Sequence, residues 1–364
     1  MNQVKNIILI NPGQFGYKAG YYYYAKYLSR YDEYIVTVLC FDQGLPKVDI
    51  PKVKVEYIDF CGSKSQRLLR WLMSVKTMYD AHSDKSSIFF MSRFNFCFVF
   101  PLLFPKAKKI LDIRTGSVSR KSMINWLQNK QYKFESHFFS VISIISKGLS
   151  SQLGLNGSKC HWLPLGSDVL SKTNKEFKSL KIIYVGTFDG RRIHETIEGL
   201  SIFLSKNSRL NLQVSYDIFG FGDDKQVQLI NNTLNKCELK GIVKYHGRKN
   251  HFELKSYYDS CNIGISYVPV TKYYENQPVT KTFEYILAGM VCVATSTYEN
   301  KKIINGANGI LCDDTPLGFA EALDKIVMNK HNYCSTIIRG TLIDYTWERI
   351  VERRLKPLLE KVNA

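Results

Sequence analysis

The stretch KIIYVGTFDGRRIHETIEGLSIFLSK, residues 181–206, decides the fold. KIIYVG is a continuous apolar run closing on a glycine, the pattern of a strand covered on both faces; near Arg192 the spacing turns helical. Strand, glycine-bearing loop and helix make the first half of a parallel crossover unit. The rhythm continues through LNLQVSYDIFG, DDKQVQLINNTLNK, GIVKYHG, ELKSYYDSC, NIGISYV, TKTFEYILAGMVCVAT, GILC and PLGFAEALDKIVMN. It also runs earlier, from KNIILIN and GYYYYAKYLSR through YIVTVLCF, SIFFM and KKILDIR to FFSVISI. Between the two series, HWLPLGSDVLSKTNKEFKSL (161–180) has Pro164, Gly166 and a polar tail, the composition of a crossing between domains.

Two α/β units are therefore expected, each a parallel sheet wrapped by helices, facing each other across a cleft. A chain of 364 residues exceeds the roughly 250–300 at which one core stops growing. The boundaries read as 1–166, 167–345 and a last helical stretch, 346–364, that packs back across the interface and is kinked by Pro357. Ligands of open α/β sheets bind beyond the carboxyl ends of the strands, so the site is expected in the cleft.

Composition narrows the classes. Apolar residues at 45% and charged residues at 23% describe a folded globular chain. Nine cysteines are scattered singly, without C-x-x-C or metal spacing, which suits a reduced, cytoplasmic protein with no metal site. The N-terminal apolar run is too short for a signal-peptide core, and the most apolar segment, 86–104, is broken by Arg93, Asn95 and Pro101. A formal charge of +18 points to an anionic partner. No nucleic-acid-binding motif accompanies it, so phosphates or a membrane surface are the expected partners and nucleic acid is not.

Several segments carry candidate chemistry. NPGQFGYKAG (11–20) sets Gly13, Gly16 and Gly20 between a strand and a helix, where a backbone can approach an anion closely; a bare tight turn would look the same. At 184–199, Gly186 ends a strand and Arg191 and Arg192 stand at a helix start, against the helix dipole, a placement that favours a bound anion over a solvated loop. Phe221 and Gly222, in YDIFGFGDD, could lie against a flat base or simply turn. In TKTFEYILAGMVCVAT (280–295), Glu284 lies close to the packed side of an apolar helix. A carboxylate there needs good donors, and the paired hydroxyls of a ribose would satisfy both oxygens; an ordinary first-turn glutamate is the alternative. Thr280, Lys281 and Thr282 at the same helix start suit a diphosphate.

Over 180–345 the motifs YVGTFDGRR, IFGFGDD, KYHGRKNHFELKSYYDSCNIGISYVP, PVTKTFEYILAG and GILCDD resemble, in order and spacing, the retaining GT-B glycosyltransferases of glycosyltransferase family 4. LDIRTGS and LPLGSDV extend the resemblance more weakly over 1–170. The resemblance implies a nucleotide-diphosphate sugar donor, UDP- or GDP-linked, and a glycan or undecaprenyl-linked acceptor. It further implies retention of configuration, a role in bacterial surface polysaccharide or lipopolysaccharide synthesis, and a hexosyltransferase that needs no metal, in keeping with the absence of a D-x-D motif. Glu284 matches the second of the family's two glutamates, the ribose binder, while Asn276 stands where the first is expected, beside Glu275. Val279 and Thr280 would lend amides to the diphosphate, and Arg191 and Arg192 would hold the donor phosphates, Arg192 being the better match. Gly16, Gly186, Thr187, Phe221, Gly222, Lys281 and Thr282 complete the implied donor set. Asp112 and Arg114, in ILDIRTGS, occupy the family's histidine position; with Arg192 and Lys281 they form the expected catalytic set, although a structural Asp–Arg pair would read alike. A nucleotide-sugar epimerase of the same fold and a non-catalytic basic binding protein are the rival readings.

Two helices in the first half are both basic and apolar. SKSQRLLRWLMSVK (63–76) sets Arg67, Arg70 and Lys76 beside Leu68, Trp71 and Leu72. SRKSMINWLQNKQYK (119–133) sets Arg120, Lys121, Lys130 and Lys133 beside Met123, Trp126 and Leu127. Each could lie peripherally on an anionic inner membrane face or pack on its own sheet.

Overall fold

A computed structural model of the chain describes residues 4–82, 86–117, 121–209, 211–249 and 251–363. It divides into two compact units, one of Met1–Leu165 with Trp347–Ala364, the other of Gly166–Thr346.

In the first unit the described strands are β1 (Lys5–Ile10), β2 (Tyr34–Asp42), β3 (Val53–Asp59), β4 (Ser87–Ser92), β5 (Lys108–Ile113), β6 (Ile142–Ile144) and β7 (Cys160–Trp162). They form one parallel sheet in the order β3-β2-β1-β4-β5-β6-β7. Successive residues of β1 feed opposite faces: Ile7 and Leu9 enter one core with Tyr21, Tyr24 and Leu28 of helix Ala19–Leu28, while Ile8 and Ile10 enter another with Trp71, Val75 and Met78 of helix Lys64–Ala81. That double burial is why these strands are apolar throughout. The last helical stretch belongs to this unit: Trp347, Ile350, Val351, Leu355, Leu358 and Leu359 join the first of the two cores. The kink expected at Pro357 takes the form of a wide π-helical turn, Val351–Leu355, between Trp347–Ile350 and Lys356–Asn363. Proline has no N–H and its ring crowds the carbonyl four residues back, so a loosened turn just before it relieves both problems.

The second unit contains β8 (Leu180–Thr187), β9 (Val214–Phe221), β10 (Val243–Tyr245), β11 (Ile263–Ser266), β12 (Val291–Thr295) and β13 (Gly309–Cys312) among its described residues. Their order is β10-β9-β8-β11-β12-β13, again all parallel. The cysteines are free, and burial pushes the thiols of Cys40 up to about 11 and of Cys97, Cys261 and Cys312 up to about 12, so these four act as small apolar groups.

Candidate functional site

In the second unit the chain winds outward from β8 in both directions, through β9 to β10 and through β11 to β13. The switch point thus lies between β8 and β11, and the connections after these two strands leave in opposite directions from the carboxyl edge, opening a crevice. Those connections hold Arg191 and Arg192 on one side and residues 276–284 on the other.

Helix Thr280–Leu287 is fixed there by its buried side. Gly264 of β11 has no Cβ, and one built there would fall 2.1 Å from the Tyr285 ring, so the glycine is what lets the ring lie on the strand. The Tyr285 hydroxyl then accepts a hydrogen bond from the Val185 amide (2.9 Å), tying the helix to the end of β8. On the next turn Thr282 is fully buried, its hydroxyl bonded to Ser266 Oγ (2.7 Å) and Asn300 Oδ1 (3.2 Å). The side chain of Thr282 therefore serves the core, and its expected role as a donor-binding group is corrected: the hydroxyl has two partners and no path to a ligand.

The opposite side of the helix is open. Glu284 Oε2 accepts hydrogen bonds from the Tyr258 hydroxyl (2.9 Å) and from Lys281 Nζ, one turn earlier. Both donors converge on one oxygen, and among the described residues none reaches Oε1. Burial, with the Glu284 carboxylate beside it, holds the Tyr258 hydroxyl far above the usual tyrosine range, so it stays a donor. Val279 precedes the helix in extended backbone with no side-chain cap, and Thr280 is half-buried at its start. Asn276 ends the short helix Lys272–Glu275, while Glu275 beside it accepts from the Tyr298 amide. One oxygen of Glu275 is thereby tied to another helix start.

The two arginines after β8 differ sharply. Arg192 sits in the left-handed region (φ 49°), with Nη1 3.0 Å from Glu195 Oε1 and Nη2 on Asp314 Oδ2. Asp314 also accepts from the Val270 amide (2.9 Å), and Glu195 Oε2 from the Tyr267 hydroxyl (2.6 Å). Arg192 is thus the hub of a network that fixes the loops after β8, β11 and β13. Arg191 instead lies 4.8 Å from the Tyr274 ring centre, and its shielded Nη1 has no acceptor among the described residues. Shielded guanidinium donors are costly unless an anion meets them. Arg192 Nε is likewise shielded without an acceptor among the described residues, so the pair differs in its carboxylates: Arg192 has its two terminal nitrogens on Glu195 and Asp314, whereas Arg191 has no carboxylate partner among those residues.

Gly186 pairs in register with Gly220 at the ends of β8 and β9, and a Cβ on Gly220 would fall 1.9 Å from the Gly186 carbonyl oxygen. Thr187 turns its carbonyl to the Tyr184 hydroxyl (2.6 Å) and its Oγ1 to the Asp189 amide (3.3 Å). Phe221 is half-exposed with the Arg248 guanidinium 4.9 Å over its ring, and Gly222 leads into helix Asp224–Lys236. These groups share the carboxyl edge with Glu284 and Arg191.

Gly16, Asp112 and Arg114 belong to the first unit. Gly16 has φ 92° and packs where a Cβ would fall 2.6 Å from Val48. Its loop is braced by the buried Gln14, which accepts from the Gln43 amide (2.7 Å) and donates to the Leu45 carbonyl (2.7 Å). Asp112 is fully buried on β5, where its Oδ1 accepts from Ser143, its register partner on β6. Arg114 donates to the Leu163 (2.6 Å) and Pro164 (3.1 Å) carbonyls. Asp112 joins two strands and Arg114, 3.8 Å from it, clasps the chain leaving β7, contacts that fit the structural Asp–Arg pair of the two expected readings. Burial raises the Asp112 carboxyl above its ordinary range, the cost of that position.

Three groups escaped sequence reasoning. Tyr258, Asp314 and the Asp217–His246 pair (2.6 Å) each need a partner more than twenty residues away in sequence. Asp314 alone had a signal, since it follows the strand in GILCDD. Among the described residues no cluster of three or more His, Cys, Asp or Glu is placed to hold a metal ion.

Comparison with known proteins bears on the fold and the family. Residues 179–329 match the family model of glycosyl transferases group 1. No curated protein sequence matches. Among solved structures, sucrose-phosphate synthase from Thermosynechococcus elongatus superposes with a TM-score of 0.76 at 14% identity, over 98% of this chain and 99% of that one. Anabaena HepE in complex with UDP and glucose gives 0.72 at 14%, over 98% and 100%, and the lipopolysaccharide outer core galactosyltransferase WaaB gives 0.69 at 13%, over 98% and 99%. The chain has the fold of the GT-B glycosyltransferases, and with the match over 179–329 this supports a group 1 glycosyltransferase.

Proposed function

We propose that the protein transfers a sugar from a nucleotide-diphosphate sugar to a glycan or undecaprenyl-linked glycan acceptor, with retention of configuration, in bacterial surface polysaccharide synthesis. The observation that carries this reading is Glu284 at the switch point, with both internal donors on Oε2 and Oε1 left for a ribose hydroxyl. Lys281 and the uncapped start of helix Thr280–Leu287 sit one turn away, where amides and an ammonium meet a diphosphate. Arg191 adds the second cation, and the two charges stabilise the leaving diphosphate as the glycosidic bond breaks, with no metal required. Phe221 offers a face for the base. UDP is the first nucleotide to test, because the HepE structures hold UDP and UDP-glucose. Asn276 changes sugar recognition, since an amide both donates and accepts where a carboxylate only accepts.

Thermal unfolding with UDP, GDP and ADP, followed by hydrolysis or transfer from the corresponding nucleotide sugars, tests the proposal. One nucleotide raises the melting temperature, Glu284→Ala abolishes that rise, and Asn276→Ala spares it while altering turnover. Absence of stabilisation by all three sinks the reading.

A further inference from the structure

Helix Ser122–Ser136 in the first unit is packed inside out. Its inward side is polar. Asn129 Oδ1 accepts from the Ser117 amide (3.1 Å), Asn125 donates to the Ser117 carbonyl (3.1 Å), and Tyr132 lies under the Arg93 guanidinium (4.1 Å). Glu135, fully buried, accepts from Arg93 Nε (2.7 Å), the Phe96 amide (2.8 Å) and Gln131 (3.1 Å). The outward side is apolar: Met123, Trp126, Leu127 and Phe134 are 74%, 58%, 53% and 54% exposed. With Lys130 they recur at i, i+3, i+4, i+7 and i+11, a single stripe along the helix. Phe134 continues the stripe into an aromatic cluster with Phe98 and Phe138, beside which Phe96, Leu102 and Leu103 are also exposed. Phe96 is held in the left-handed region (φ 66°), a strained conformation for an aromatic residue, by the bond from its amide to Glu135. Ordinary surface helices do the reverse, burying the apolar stripe.

Charge says what covers this face. From Ser86 to Ser167 the chain has eleven Lys and Arg against two acids, Asp112 and Glu135, and both acids are fully buried. Arg93 and Arg114 are spent on those two acids and Lys109 is buried on backbone carbonyls. Lys121 at the start of the helix and Lys130 and Lys133 on it are exposed, with Lys130 5.4 Å over the Trp126 ring, so the stripe is flanked by lysines and by no acid of its own helix that reaches solvent. The other basic helix, Lys64–Ala81, exposes Leu69 and Met73 but turns its aromatic and most of its apolar side chains inward: Trp71, Val75 and Met78 are buried on its sheet and Arg70 donates to the Asp59 and Cys61 carbonyls. Arg120 lies outside the described residues. No described helix is long and apolar enough to cross a membrane.

We infer that helix Ser122–Ser136, with Phe96, Leu102 and Leu103, is a docking surface for an anionic lipid bilayer, Met123, Trp126, Leu127 and Phe134 entering the interface and Lys130 and Lys133 meeting headgroups. It deepens the part of the proposed function that sets the acceptor at a membrane, yet it rests on the first unit alone.

Sedimentation with phosphatidylglycerol-containing vesicles is expected to carry the full chain down, and phosphatidylcholine vesicles to carry far less. Trp126→Ser with Leu127→Ser is expected to weaken partitioning about 100-fold, the effect of withdrawing two large apolar side chains. Both residues are exposed, so the fold is retained. Lys130→Glu with Lys133→Glu is expected to remove the preference for the anionic vesicles. Failure to bind either vesicle overturns the inference, as does a dimer in sedimentation velocity that the Trp126/Leu127 variant disrupts while vesicle binding is absent. Stabilisation by UDP in the same double variant keeps the readings apart. If vesicles bind and no nucleotide does, the docking surface stands and the enzyme reading falls. If a nucleotide binds and vesicles do not, the enzyme reading stands and the docking surface falls.

Discussion

Replacing Arg191 and Arg192 one at a time separates a ligand-binding cation from a structural one. Arg192 bridges Glu195 and Asp314, but its side chain is 39% exposed, so solvent screens both pairs. Their loss in Arg192→Ala is worth about 1–2 kcal/mol, between an exposed pair and a buried charged hydrogen bond. Alanine keeps the left-handed strain at φ 49°; glycine releases about 1 kcal/mol of it, so Arg192→Gly is expected to be the more stable of the two variants. For a unit of this size the alanine variant should melt about 2–8 °C lower, while the increment produced by UDP persists. The Arg191 guanidinium lies on the Tyr274 ring, with no carboxylate partner among the described residues, and Arg191→Ala should leave the melting temperature without ligand nearly unchanged. It should cost the one or two charge-assisted bonds to a phosphate, roughly 1.5–3 kcal/mol, or about 10- to 150-fold in UDP affinity. Calorimetric titration with UDP and with uridine is the assay, since uridine lacks the diphosphate and should bind both variants as it binds the parent. Normal UDP affinity in Arg191→Ala, together with lost affinity and unchanged melting in Arg192→Ala, would refute the assignment.

Two further outcomes rest on buried contacts. The Asp112 carboxyl is raised by burial above its ordinary 3.8, so it contributes stability that is fully present below that value and lost as pH rises through the folded value. Asp112→Asn should therefore flatten that decline in denaturant unfolding above pH 4 while turnover is retained; a large loss of turnover at unchanged stability would restore a catalytic role. Gly264→Ala forces a Cβ into the Tyr285 ring, at an overpacking cost of roughly 1–3 kcal/mol. It should lower both the melting temperature and nucleotide affinity, because the ring carries the bond to Val185; unchanged values for both would mean that Tyr285 does not position the helix.

What was legible in the sequence follows from what each kind of signal encodes. The parallel sheets could be read because both faces of the central strands are covered, so strands such as IILI and IIYV are apolar without alternation. Glu284 could be read because a carboxylate on an apolar helix is locally anomalous, and the anomaly survives at whatever distance its partner lies. Arg192 was ranked over Arg191 on its match to the family's motif, which places a cation by the donor phosphates and does not show the carboxylates that meet it here. Glu195 is three residues away and Asp314 more than a hundred, so only the folded chain shows two of its nitrogens already on carboxylates. Asp112 and Arg114 kept two readings for a related reason: their partners, Ser143 and the Leu163 and Pro164 carbonyls, come from neighbouring segments that local pattern does not bring to β5.

The two basic helices show the limit most plainly. Lys64–Ala81 and Ser122–Ser136 have the same ingredients, apolar residues at helical spacing with lysine or arginine between them. Periodicity identifies a stripe but not the direction it faces, since rotating the helix by half a turn leaves the sequence unchanged. What orients the second helix is the need of a buried ion pair: Glu135 must reach Arg93 and the Phe96 amide, which pulls the polar side inward and commits Trp126 and Leu127 to the outside. Exposing those side chains costs stability unless something apolar covers them. A helix turned outward by its own buried acid, with exposed lysines beside its apolar stripe, is thus better explained by an anionic bilayer than by a packing accident.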